Sequence, residues 1–166
     1  MLSVNASAQR IADTAALLAR LPDSAAPKVF SKGLKATHRY RVPGAREEAQ
    51  QGFPHVMKLA LPQLLRSRAQ GADENAARID ARMAVMTSLS DTCVLSRAGM
   101  AGLNAMQAGA RAVLSAGGSA TVQGSKALAE LDTQLLTLNA SPGGAADLLA
   151  ATLFLDRVSQ PAPCSI

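Results

Sequence analysis

The chain has 166 residues, a length that suits one domain and allows a substantial core. Hydrophobic residues make up 48% and charged residues 17%, which excludes a chain disordered by composition. The formal charge of +5 admits an anionic partner, whereas 2% aromatic content argues against a surface that stacks single-stranded nucleic acid.

Without Trp, and with one Tyr and three Phe, the core must come from Leu, Ala, Val, Ile and Met. That mixture favours close-packed helices over strands, so the fold class expected is all-α, a compact bundle of about six helices. Cys93 and Cys164 form no C-x-x-C pair, which fits a reducing compartment and gives neither a disulfide framework nor a zinc site. The N-terminal MLSVNASAQRIADT has no basic stretch followed by an apolar one, and the longest apolar run, Leu148 to Leu155, is too short to span a bilayer. A cytoplasmic protein is expected.

In chain order, the first helix is expected from about Ala6 to Leu21, with Ile11, Ala15, Leu18 and Leu21 on its core face and Pro22 closing it. Residues 22–43 carry Pro22, Pro27, Gly33 and Pro43 with little periodicity and read as a long basic loop, with a short extended piece at His38 to Val42. Lys28, Lys32, Lys35, Arg39, Arg41 and Arg46 follow one another in this region without an acid between them. A solvated basic loop accounts for such a run; a nucleic-acid binder using residues 28–46 ranks last, because no DNA-binding motif accompanies the charge.

The helical core is expected over 44–158. Gly44 to Gln51 reads as a short helix ended by Gly52, with Glu47 and Glu48 favourably placed in its first turn. Phe53, Val56, Met57, Ala60, Leu61, Leu64 and Leu65 fall on one helical face, and Pro62 inside the pattern predicts a kink or break near Leu61. Asp73 is the expected N-cap of a helix burying Ile79, Met83, Met86 and Leu89. Helices follow over Gly99 to Ala116, stopped by Gly117-Gly118, and over Ser125 to Leu138, with Leu128, Leu131, Leu135 and Leu138 in register. The last helix is expected to be capped by Ser141, to begin at Pro142, and to run through the middle of the bundle, because Leu148 to Leu155 is apolar on nearly all sides. Residues 159–166 read as a frayed tail.

No Walker sequence, dinucleotide fingerprint, H-E-x-x-H or nucleophile elbow is present, and His38 and His55 have no metal-ligand spacing. Four polar islands interrupt the apolar pattern: Gly44 to Ala49 with Gly52-Phe53-Pro54, Asp91-Thr92-Cys93 with Arg97, Gly117-Gly118, and Ser141 to Asp147. In the last, Gly143 and Gly144 open the first helical turn to close approach, where unpaired amides and the helix dipole attract anions. Capping and tight helix packing account for the same residues. Asp91 closes an apolar face, as a metal- or ribose-binding carboxylate or as one half of a helix-end pair with Arg97.

In this order, GAREEAQQGFPHV, LSDTCVLSRAGMAGL and LLTLNASPGGAADLLAATLFLD resemble the triphosphoribosyl-dephospho-CoA synthases over residues 5–158, the malonate decarboxylase type more closely than its citrate lyase sister. The resemblance implies the C-terminal part of a larger helical enzyme. Its reaction joins the ribose 2′-hydroxyl of dephospho-CoA to the anomeric carbon of the ATP ribose, with loss of adenine. The product serves an acyl-carrier subunit. By this resemblance Asp91 and Asp147 are the catalytic carboxylates, and Arg46, Thr92, Arg97, Ser141, Gly143 and Gly144 bind the nucleotide. ATP enters as substrate, Mg²⁺ accompanies it, and the metal ligands stay unassigned.

The chain departs from the family pattern D-T-N-x-x-H-R-G-G at Cys93, Ser96 and Ala98, and Leu138 stands where an Arg usually precedes S-P-G-G. The T-P-K-P-G-L-V-D and N-T-H-[KR]-G-A stretches of the family's N-terminal half are not in this sequence. The expectation is therefore a chain inactive by itself. The alternative is a non-catalytic helical fragment or binding module that pairs with a separate N-terminal half or with another copy.

Overall fold

The computed structural model describes residues 6–22 and 31–160. The described residues form α-helices and one π-helical stretch, with no strand. Lys28, Cys164 and residues 161–166 of the expected tail lie outside the described residues.

Helix α1 (Ala6–Leu18) packs on the rest through Ala8 and Ala12, and not through the leucine face expected of it. Ile11, Leu17, Leu18 and Leu21 are exposed. Small side chains win here because they let the backbone lie close to its neighbours, α3 and α8. Helix α2 (Lys32–Tyr40) overturns the long-loop reading of 22–43 and the extended piece at 38–42. Ser31 caps it, accepting from Leu34 N at 3.1 Å, and Arg41 ends it in the left-handed conformation. Its apolar stripe is short, only Ala36 being fully buried, so periodicity did not announce it.

Helix α3 (Ala45–Gln50) begins as expected, Glu47 Oε2 accepting from Gly44 N at 2.9 Å. The next helix opens as a π-helical stretch, His55–Ala60, and continues as α4 (Leu61–Ala69). The break expected at Pro62 thus takes the form of a change of helix type, Leu61 N donating to Val56 O five residues back. Proline leaves one carbonyl without its amide donor and crowds the preceding turn, and the wider π turn gives it room.

Asp73 caps α5 (Glu74–Met86) as expected, accepting from Ala76 N at 2.8 Å. This helix, and not the last one, is central. It packs against the π stretch, α4, α6 and α8, and buries Ala76, Ala77, Ala81 and Ala84 besides Met83, Val85 and Met86. Helix α6 (Thr92–Ser115) starts seven residues before the expected Gly99. Gly99 is instead a break within it, at φ 61° and ψ −157°, a conformation costly for any side-chain-bearing residue.

Helix α7 (Val122–Thr137) buries Leu131 and Leu135 against α6. Helix α8 (Gly143–Ser159) buries Ala145, Thr152, Leu155 and Asp156 and leaves Phe154 and Val158 exposed, correcting its expected central place. Arg68 joins α4 to α8, donating to Glu74 at 2.8 Å and pairing with Asp156 at 2.9 Å. No helix among the described residues is long and apolar enough to cross a membrane.

Candidate functional site

Asp91 sits between two helix starts and is 1% exposed. As N-cap of α6, its Oδ1 accepts from Cys93 N at 2.8 Å and Val94 N at 3.3 Å. Its Oδ2 accepts from Ala145 N at 3.0 Å, in the first turn of α8. One carboxylate therefore caps two helices, satisfying three amides that helix geometry leaves without partners. The expected pairing with Arg97 does not occur: Arg97 is exposed and elsewhere, and backbone amides take its place.

This bridge explains the start of α8. Pro142 occupies the capping position with no side-chain cap, and the helix begins at Gly143; the expected cap at Ser141 and start at Pro142 are replaced by a cap from Asp91. A Cβ on Gly144 would lie 3.2 Å from Asp91 Oδ2, and one on Gly143 would lie 2.9 Å from Cys93 Sγ. The glycine pair lets the two helix starts meet.

Over this junction opens a cleft of about 330 Å³, lined by Pro43, Gly44, Glu48, Phe53 and His55 on one side and by Asp91, Thr92, Cys93, Gly144, Asp147 and Leu148 on the other. Asp147 is exposed, whereas the Asp91 carboxylate is engaged by amides. Glu48 clamps His55, accepting from its backbone N at 2.9 Å and meeting its Nδ1 at 2.8 Å. With a carboxylate at Nδ1, that nitrogen carries the hydrogen and Nε2 is left open. The clamp sits beside a left-handed turn, relaxed at Gly52 (φ 74°) and strained at Phe53 (φ 55°), and the π stretch starts at His55. Left-handed non-glycine residues and π turns concentrate at functional sites. The sequence reading missed this pair because the two residues belong to different elements and match no motif spacing.

The expected site residues do not all converge. Asp91, Thr92, Gly144 and Asp147 share the cleft; Gly143 packs against Cys93 beside it. Arg97 and Ser141 line a second cleft of about 440 Å³, with Arg82, Leu131 and Asn139, on the side of α7. Arg46 joins neither. Its guanidinium donates to the carbonyls of Ala19, at 3.0 Å, and Leu21, closing the end of α1. Gly117 and Gly118, the third polar island, form a left-handed turn whose Ser119 amide donates to buried Asp80 at 2.7 Å.

Among the described residues no three His, Cys, Asp or Glu side chains cluster as a metal cage. Magnesium is often held by one or two carboxylates together with substrate phosphates, and Asp147 fits that lesser demand.

The fold and cleft define an all-helical protein whose polar site is assembled at converging helix starts. The family profile of ATP:dephospho-CoA triphosphoribosyl transferase matches residues 3–165. A 2-(5''-triphosphoribosyl)-3'-dephosphocoenzyme-A synthase of Klebsiella pneumoniae is 70% identical over 159 residues, which cover 96% of this chain and 57% of the relative. Probable synthases of the same name from Stutzerimonas stutzeri and Azotobacter vinelandii are each 59% identical, covering 100% and 90% of this chain and 58% and 52% of their own lengths. The chain belongs to the ATP:dephospho-CoA triphosphoribosyl transferase family. It spans between half and three-fifths of the length of these relatives. No solved structure matches it.

Proposed function

We propose that this chain carries the ribose-transfer site of a triphosphoribosyl-dephospho-CoA synthase, with ATP and dephospho-CoA as substrates and adenine as the leaving group. The observation that carries the reading is the junction at Asp91, which joins the D-T-C and S-P-G-G segments into one cleft wall. Displacement at an anomeric carbon develops positive charge on the sugar and releases a proton from the attacking hydroxyl. Asp147, exposed in the cleft, is the carboxylate for that work. Asp91, sealed by three amides, acts as a positioning residue that holds Thr92 and Gly144 in place. Mg²⁺ would neutralise the triphosphate when bound, with its protein ligands left unassigned.

The residues quoted for the resemblance favour the malonate decarboxylase pathway. The test is adenine release from ATP, Mg²⁺ and dephospho-CoA. Against the expectation of a chain inactive by itself, the result expected of this reading is release that depends on dephospho-CoA and falls about 100-fold or more in Asp147→Asn at unchanged stability. A chain that neither binds ATP nor releases adenine defeats the reading.

A second reading has one observation in its favour. Leu17, Leu18 and Leu21 of the α1 region are each at least 60% exposed, which suits a helix covered by a partner chain or a second copy. Sedimentation of the purified chain separates the two, a monomer at micromolar concentration disfavouring a second copy.

A further inference from the structure

We infer that His55 is the acid of the ribose transfer: its Nε2 meets the departing adenine and hands it a proton, and Glu48 positions the ring. The backbone N of His55 donates to Glu48 Oε1 at 2.9 Å, and its Nδ1 lies 2.8 Å from Glu48 Oε2. A carboxylate only accepts, so Nδ1 carries a hydrogen and the ring is fixed in one orientation. Nε2 is then the nitrogen left to exchange a proton. It has no hydrogen bond among the described residues and is not sealed from solvent, the side chain being 20% exposed on the wall of the Asp91 cleft. A clamp that only fastens α3 to the π stretch needs the Glu48 contacts; it needs neither an open Nε2 nor a cleft.

The chemistry asks for such a group. As the 2′-oxygen of dephospho-CoA bonds to C1′ of the ATP ribose, the C1′–N9 bond breaks and its electron pair goes to the purine. A purine anion leaves poorly, and a proton delivered to a ring nitrogen turns it into neutral adenine. The hydroxyl proton goes to the Asp147 carboxylate, and the purine's proton comes from the His55 imidazolium. One proton is lost and one gained, and water returns one from Asp147 to His55 between turnovers. Displacement at an anomeric carbon commonly divides acid and base between two side chains in this way. The other titratable groups on the cleft are Glu48 of α3, and Asp91 and Cys93 at the start of α6; α4 and α5, which also pack on the π stretch, contribute nothing to its lining. Glu48 is taken up by His55, Asp91 by amides, and Cys93 Sγ lies against Gly143. Phe53, Leu89, Leu148 and Ala151 supply the apolar wall that a flat base needs.

This assignment rests on the transferase reading for its reaction, and not for its contact with adenine, so the whole chain is tested in two measurements. The first is ring ¹⁵N NMR. The chain has two histidines, and His55→Asn identifies the His55 signals. Adenine is expected to shift the His55 Nε2 resonance saturably and to leave His38 unmoved. The second is turnover of ATP beside turnover of the 5′-triphosphate of p-nitrophenyl β-riboside, whose nitrophenolate departs without a proton. His55→Asn keeps an amide donor for Glu48; it is expected to release adenine about 100-fold more slowly at little-changed KM, and nitrophenolate within about threefold of wild type. The fall in rate with rising pH that an acid imposes should be present in wild type and absent in His55→Asn. Glu48→Gln is expected to show the same split between substrates with a loss of about tenfold. Asp147→Asn should slow both substrates. An Nε2 resonance blind to adenine, undiminished adenine release by His55→Asn, or an equal loss on both substrates overturns the assignment. An Nε2 that answers to adenine in a chain releasing none supports the contact and sinks the ribose transfer.

Discussion

Asp80 and Asp91 are both sealed from water, at 3% and 1% exposure, and both hold a glycine-rich turn by its backbone. Asp80 accepts from Ser67 Oγ at 2.8 Å and Ser119 N at 2.7 Å, and a Cβ on Gly118 would come within 2.6 Å of it. Asp91 does the same for Ala145 and Gly144, and adds the two amides of its own helix. One lies among packed helices; the other forms part of a cleft with Asp147 and His55. Buried acid plus glycine pair is thus a joint used twice. A site arises only where the joint meets open, chemically equipped space.

Four changes break or sharpen that contrast. The largest effect belongs to Asp91→Ala, which strips three amides at two helix starts. It is expected to cost about 3–5 kcal/mol in urea unfolding. Asp80→Ala leaves one amide and one hydroxyl unpaired and is expected to cost about 2–3 kcal/mol. Whatever folded fraction remains should keep its adenine release; a specific loss there would erase the distinction between the two joints. Gly143→Ala is expected to cost about 1–3 kcal/mol by driving a methyl into Cys93 Sγ. Cys93→Ala should return part of it, so a double-mutant cycle reads the closeness of the two helix starts directly.

The smallest effect concerns Glu74, remote from both joints. The Arg68 hydrogen bond, with a second from Arg78, lowers its carboxyl from 4.5 to about 2. A depressed acid contributes its stability above the unfolded value and loses it as pH falls from about 4.5 to about 2. Because Glu74 is 43% exposed, the loss should be about 1 kcal/mol or less, absent in Glu74→Gln.

What could be read in the chain depended on which force wrote it. Local chemistry was legible: Asp73 as a cap, Pro62 as a break, Leu131 and Leu135 as a buried stripe. Tertiary choices were not. Leucine marks a face that could be buried, yet α1 buries Ala8 and Ala12 and α5 takes the centre by stacking alanines. Alanine carries weak hydrophobic signal but permits the closest helix approach. The S-P-G-G and D-T-C strings were recognised as belonging together, and the Asp91–Ala145 bond gives the physical reason. Glu48 and His55 stayed hidden because their pairing crosses the left-handed turn at Gly52 and Phe53, a geometry that residue spacing does not encode.

Helix α3 has six residues and none of them is buried, so no core of its own fixes it. It is held at both edges by polar grips: Arg46 and Gln50 on carbonyls of the turn that follows α1, and Glu48 on His55. The α1 terminus and the imidazole are therefore read by opposite sides of one short rod. Melting of this one short helix would therefore free the turn after α1 and the imidazole together, so the two ends of the chain segment share a single point of failure.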